Sequence, residues 1–509
     1  MNQGQRAGPN IRRAPGRRSV PKQLTFLLDT NVLIPLQDSY AVLDNNLANF
    51  HRLALVGGHK LVYHPASIED FERDTDLGRR ARNLEHVRRY PTLECPVKCP
   101  WNTPETSPND ACDNEILYAL QCDAAHALVT EDKGLLTKAR VRGLAHRTYN
   151  IQTAEDWLRR LHQPFDVALP NIDDVPLHSL TPNLADAFFD SLRAGYAGFD
   201  DWFRRKAREN RKAWTYRDEN DVLGAICVYD VQTDEVVTNE GKRLDGKALK
   251  LCTFKVGQSV RGRKIGELFL KAAFRYGTEN ACEHIFIHAD IEKHAYLVSL
   301  LVEFGFDDVG SYGTDRMFVK QHPVKTPDIV GLPALEFVRR FYPHYQGGPQ
   351  VQKFLVPIRQ EFHRILFPDY QALQAQLFAP QGSVGNAIKL AYLCHAASKQ
   401  IRPGDVLLFY RSEDEQAVTS LGVVDQFAVL SDAASIAAMV SRRTVYSIKE
   451  IEDMATRPTK VILFRLIKHF PAPATLKRLL DDGVVAGNIQ SITKISDDAF
   501  SRVLAAAGT

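Results

Sequence analysis

The chain has 509 residues, too many for one hydrophobic core, so roughly three domains are expected. Apolar content of 44% and charged content of 25% exclude wholesale disorder, and a net charge of +3 neither demands nor excludes a polyanionic partner. Eight cysteines in this length do not make a disulfide scaffold, and no apolar run approaches the ~20 residues that span a bilayer.

Residues 1–22 are Arg-rich, and no Asp or Glu occurs before Asp29. They lack the apolar stretch of a secretory signal and the large apolar residues of an amphipathic face, so they read as a flexible basic tail. A cytoplasmic location is expected, without membrane attachment.

Residues 23–162 alternate strand-like runs (LTFLLD, KLVYH, HALVT, HRTYNI) with helical stretches, the sign of a parallel α/β sheet. Asp29 closes the first strand and Asp132 follows the third, at the carboxyl ends where open α/β sheets place ligands. Asp110 and Asp113 share a helix face, while Glu69 and Asp70 open a helix after the second strand. Clustered carboxylates repel one another, and a hard cation such as Mg²⁺ or Mn²⁺ would relieve that cost. Cys95, Cys99, Cys112 and Cys122 also fall here. Cys112 and Cys122 stand about 15 Å apart on one continuous helix, which argues against a shared zinc ion.

The motifs LLDTNVLI (Leu27–Ile34), NDACDNEILYAL (Asn109–Leu120) and LVTEDKGL (Leu128–Leu135) resemble those of PIN-domain nucleases. The resemblance implies Asp29, Asp70, Asp113 and Asp132 as catalytic metal ligands, Thr30, Asn31 and Thr130 as supporters, and Glu69 and Asp110 as alternates. It also implies single-stranded RNA as substrate.

Prolines punctuate 163–182, read as a linker. In 183–322, two short helical segments precede the strands KAWTYR, VLGAICVYD and ALKLCTFKV. A helix is expected over 259–276, with Ile265, Leu268, Phe269, Ala272 and Ala273 on its apolar face. The strand HIFIHA and a last helix follow. The turn KVGQSVRGRKIGELFL sets a helix N-terminus after a strand, a ready anion site.

This order of elements resembles the GNAT acyltransferases, with an α+β fold. The resemblance assigns the acetyl-CoA pyrophosphate to Val260, Arg261, Gly262, Arg263, Lys264, Ile265 and Gly266, and matches EFGF (Glu303–Phe306) to the final helix-to-strand signature. Two departures stand out: Lys264 replaces the middle glycine of the motif, and Leu301 occupies the position of a general-acid tyrosine. His288, Asp290, Glu292, His294 and Tyr296 are the nearby acid–base candidates.

Residues 323–349 read as a second linker. In 350–509, GNAIKLAYLCHAASKQIRPGDVLLFYRS and LGVVDQF resemble PUA-like domains of the ASCH and EVE types, which implies a small β-barrel. Tyr410, Arg411, Arg465, Lys468 and His469 are the residues able to stack on bases and pair with phosphates.

The combined expectation is an α/β multi-domain RNA-processing enzyme: a metal-dependent ribonuclease, an N-acetyltransferase and an RNA reader. The alternative is a protein or small-molecule N-acetyltransferase whose flanking domains dock partners.

Overall fold

The structure is a computed structural model that describes residues 23–36, 45–73, 75–94, 96–101, 108–162, 172–218, 220–257, 260, 264–370, 387–396, 400–440, 443 and 446–509. The side chains of Asn45, Asp70, His86 and Pro108 lie outside that description, as do the basic tail and Cys95.

Three sheets organise the chain. The first holds β1 (Thr25–Leu28), β2 (Lys60–Val62), β3 (Ala127–Val129) and β4 (Thr148–Tyr149) in the order β2-β1-β3-β4, every pair parallel. Phe26, Leu27 and Leu28 are fully buried because helices cover both faces, as a parallel sheet requires.

The second sheet is seven-stranded, with β5 (Asp173–Pro176), β6 (Lys212–Arg217), β7 (Leu223–Val236), β8 (Arg243–Val256), β9 (His284–Ala289), β10 (Asp307–Tyr312) and β11 (Asp315–Gln321). Its order is β10-β11-β9-β8-β7-β6-β5, antiparallel except at β8–β9. The segment 163–182 is therefore not a linker throughout: Asp173–Pro176 pairs with β6.

The third sheet holds β12 (Lys353–Ile358), β13 (Lys389–Cys394), β14 (Val406–Arg411), β15 (Ala417–Leu430), β16 (Thr459–Thr475) and β17 (Thr493–Ile495). Its order is β13-β16-β15-β14-β12-β17, with β12 and β14 parallel. A small β-barrel was expected; among the described residues no pairing joins β13 to β17.

The three units share cores. Ile436, Ala437 and Val440 of the helix Ala433–Val440 pack in one cluster with Phe26, Phe50 and Trp157 of the first unit. Phe269, Phe274 and Phe304 of the middle unit pack with Ile388 and Val423 of the third. Burying each such side chain stabilises the contact by about 1.5–3 kcal/mol. The second expected linker, 323–349, is also part of the body. Its helix Ala334–Phe341 buries Val338 in the middle core, and the Tyr342 hydroxyl donates to the Leu466 carbonyl at 2.8 Å. Among the described residues no helix is long and apolar enough to cross a membrane.

Candidate functional site

β8 and β9 pair only at Ala248–Lys250 against His284–Phe286, yet β8 runs on to Val256 and β9 to Ala289. The two parallel strands thus diverge at their carboxyl ends, leaving facing backbone groups unpaired in a crevice. The turn after β8 lies tight on the sheet. A Cβ at Gly224 would stand 2.6 Å from Cγ1 of the fully buried Val260, so only glycine admits the contact.

The helix after that turn is Ile265–Glu279, starting later than the expected residue 259. Lys264 caps it in the left-handed region, φ 56°, and its Nζ donates to the Lys389 carbonyl of β13 at 3.1 Å. That side chain is turned to the third unit. Ile265 and Gly266 are buried in the first turn, while Arg261, Gly262 and Arg263 lie outside the described residues.

A cavity opens on each side of the crevice. One, of about 330 Å³, is lined by Val260, Lys264, Gly266, Tyr296 and Leu300. The other, of about 450 Å³, is lined by Tyr196, Trp202, Lys250, His288 and Tyr312. Phe254, His294 and Leu297 line both, so the two cavities meet at these residues.

His288, near the end of β9, places Nδ1 2.7 Å from Asp315 Oδ2. An ionised carboxylate only accepts, so Nδ1 carries the hydrogen and Nε2 is left to accept a proton. Burial pushes the His294 imidazole down, holding it neutral. Burial, then Asp315 and Asp290, raise the Tyr196 phenol, which keeps its proton.

Asp290 was an acid–base candidate, and the structure corrects this. The backbone N–H of Lys293 chiefly, with the Lys293 ammonium and the Glu292 N–H, lowers its carboxyl to about 2. It caps a turn and is too weak a base to take a proton at neutral pH. Tyr296 is partly exposed at the first cavity. Leu301 is fully buried in the core.

In the first unit, Asp29 accepts from Thr130 Oγ1 at 2.6 Å and from the Thr30 N–H at 2.7 Å. Asn31 Nδ2 donates to Thr130 Oγ1 at 3.3 Å. Asp132 caps the following helix through Leu135 N–H at 2.8 Å. Burial raises the Asp29 carboxyl, and Asp113 and Asp132 add to the rise, so these acids do stand near one another.

Lys138, which the sequence did not mark, ties Asp113 at 2.7 Å and also pairs with Asp110. Glu69 is exposed, and the side chain of Asp70 lies outside the description. Oxygen donors suit Mg²⁺ or Mn²⁺. However, among the described residues no group of three or more His, Cys, Asp or Glu side chains stands close enough to hold a metal ion. The described side chains therefore do not by themselves form a metal cage. Burial pushes the Cys112 thiol up to about 12, as for an inert core cysteine.

The expected nucleic-acid contacts of the third unit are corrected. Tyr410 is buried in the core. Arg411 is buried and paired with Asp414 and Glu415. Arg465 is 1% exposed and paired with Asp425 at 3.3 Å. His469 bridges Ser420 and Asp369 inside the sheet. Lys468 is half-buried, and burial lowers its ammonium.

Sequence reasoning missed Asp315, Tyr196, Trp202 and Lys250. Asp315 is coupled to His288 only by the antiparallel register of β11 on β9, in which Met317 faces His288. No local signal in the sequence carries that pairing.

A sheet with one parallel pair that splays over a helix N-terminus, with a cavity on either side, is the architecture of an acyl-transfer domain. Residues 172–306 match the model of the acetyltransferase (GNAT) family, so the middle unit is a GNAT acetyltransferase domain. No curated protein matches the chain.

Among solved structures, an acetyltransferase of the GNAT family from Staphylococcus aureus is 12% identical, with 30% of this chain and 99% of that chain covered at a TM-score of 0.24. The PaiA N-acetyltransferase from Thermoplasma acidophilum, in complex with coenzyme A, is 14% identical over 30% and 99% at 0.23. An ASCH protein from Zymomonas mobilis is 12% identical over 30% and 94% at 0.23.

Proposed function

We propose that the protein transfers an acetyl group from acetyl-CoA to a small amine that carries an anionic group, using His288 as general base. The observation that supports this most is the pair of cavities meeting at Phe254, His294 and Leu297 inside a domain that matches the GNAT family. Acetyl-CoA supplies an activated thioester carbonyl. On the other side, the neutral amine attacks that carbonyl; His288 Nε2 takes the proton its nitrogen sheds as the C–N bond forms and the C–S bond breaks, and Asp315 stabilises the imidazolium. Tyr296 is the group on the cofactor side suited to return a proton to the departing sulfur.

The acceptor class follows from the lining. Trp202, Tyr196 and Tyr312 offer aromatic faces, and Lys250 lies 5.7 Å from the Tyr312 ring centroid without an ion-pair partner among the described residues. Arg211 and Lys206, also at this cavity, are engaged by Asp230 and Glu209. Lys250 repels polyamines and attracts a carboxylate or phosphate. In a thiol-release assay with acetyl-CoA, aromatic amino acids should outpace their amides and polyamines. Release no faster than hydrolysis with every amine tested would sink the reading.

A second reading is hydrolysis of single-stranded RNA by the first unit with Mg²⁺ or Mn²⁺. Buried Asp29 near Asp113 and Asp132 favours it; Lys138, whose ammonium already compensates Asp110 and Asp113, stands against it. Cleavage with Mn²⁺ that disappears in folded Asp29→Asn and Asp132→Asn variants would establish it, and equal inertness of all three proteins would remove it. RNA reading by the third unit is left with Lys468 alone of its expected contacts.

A further inference from the structure

The cofactor-side cavity is not bounded by the middle unit alone. Its wall includes Arg160 on the helix Ile151–His162 of the first unit, and Lys389 and Arg443 of the third. The third unit is fastened at the first turn of Ile265–Glu279. The Lys389 N–H donates to Glu267 Oε1 at 2.6 Å, and the Lys389 carbonyl accepts from Lys264.

Behind this wall three guanidiniums converge on one carboxylate. The Asp425 carboxylate is approached by Arg443 at 2.6 Å, Arg465 at 3.3 Å and Arg339 at 3.6 Å. One carboxylate cannot neutralise three guanidiniums; of the other acids at the cavity, Glu303 pairs with Lys389 and Glu267 accepts from its N–H, while Asp156 lies a turn from Arg160. Nη1 of Arg443 and Nη1 of Arg465 are both buried without a hydrogen-bond partner. A buried guanidinium donor left unpaired is costly, and an anion in the cavity satisfies that of Arg443, which lines it. Burial chiefly, then the charges of Arg465 and Arg443, drive the Lys389 ammonium well below the usual lysine range.

We infer that the first and third units complete the cofactor pocket: Arg443 and Arg160 bind the phosphate groups of coenzyme A, so acetyl transfer requires the assembled three-unit body. This rests on the acetyl-CoA reading above. The amides at the start of Ile265–Glu279 hold an anion in any such domain. The inference adds cations supplied from outside the domain that matches the family.

The test is calorimetric titration of the full chain with coenzyme A and with pantetheine, which lacks every phosphate. Arg443→Gln and Arg160→Gln should each weaken coenzyme A by roughly 10- to 150-fold, the loss of one charge-assisted hydrogen bond, and leave pantetheine unaffected. Coenzyme A binding at wild-type strength in both variants overturns the inference while leaving the acetyl-CoA reading intact. A wild-type chain that binds no coenzyme A overturns that reading and the inference with it. Should Arg443→Gln unfold because Asp425 loses its partner, Arg160→Gln, which is remote from Asp425 in the chain, decides the outcome alone.

Discussion

Replacing Asp315 by Asn removes one charge at nearly constant shape from beside His288. The carboxylate accepts at 2.7 Å and is only 9% exposed, so solvent does not take over its role. A hydrogen bond to a charged acceptor contributes about 1.5–3 kcal/mol, which corresponds to a loss of roughly 10- to 150-fold in kcat/KM. The amide of Asn is also able to donate, which favours the wrong imidazole tautomer and moves the loss toward the upper end.

Thiol release from acetyl-CoA with an aromatic amino acid as acceptor reads the effect. KM for acetyl-CoA should stay constant, because neither His288 nor Asp315 lines the cofactor-side cavity. His288→Gln alone should cost about 10²–10⁴-fold, the usual span for a general base. In that background Asp315→Asn should cost less than about two-fold, because distant effects would add but an effect exerted through His288 vanishes with it. Full activity of Asp315→Asn, or an equal loss in both backgrounds, would refute the reasoning.

Three further outcomes concern stability. Gly305 has φ +81°, and a Cβ there would lie 2.2 Å from the Arg339 carbonyl oxygen, so Gly305→Ala should cost about 2–5 kcal/mol; an unchanged Tm would contradict this. Lys271 Nζ lies 2.7 Å from Asp369 Oδ2 between the middle and third units, and although burial opposes it, Lys271 with His469 holds that carboxyl well below the usual range. Lys271→Met should cost about 3–5 kcal/mol in urea unfolding, and adding Asp369→Leu should restore much of it.

Burial lowers His59, His64 and His322 to about 4 from an ordinary 6.5. Between pH 6.5 and 4 the unfolded chain binds protons that the native state refuses. The unfolding free energy should therefore be highest above pH 6.5 and fall toward pH 4, by about 3 kcal/mol for each histidine, with the unfolding midpoint following it. A midpoint flat across that window would show these imidazoles to be solvated.

Much of the local structure was legible. Ile265, Leu268, Phe269, Ala272 and Ala273 recur at helical spacing, and all five are buried on one helix. Asp29 and Asp132 were expected at strand ends because apolar runs precede them, and both sit there. The nucleic-acid contacts failed for a physical reason. Tyr410 and Arg411, at the end of β14, were expected to be accessible to bases and phosphates. Yet Leu408 and Tyr410 pack in one core while Leu407 and Phe409 pack in another, because the sheet is covered on both sides. Arg465 reads as a surface cation in isolation. It is buried because its stretch of β16 lies where the units dock: Leu463, two residues earlier, packs in the core shared with the first unit.

By itself, then, the sequence determined what depends on neighbours a few residues apart: which segments are strands or helices, which face of each is apolar, and which acids and turns lie at strand ends. Tertiary structure alone decided what depends on partners more than twenty residues away. These include Asp315 meeting His288 through strand register, Lys138 neutralising the carboxylates that suggested a metal, and a cofactor-side cavity with walls from all three units. Local periodicity encodes burial of a face but not what buries it, because any apolar surface of matching shape relieves the same hydration cost.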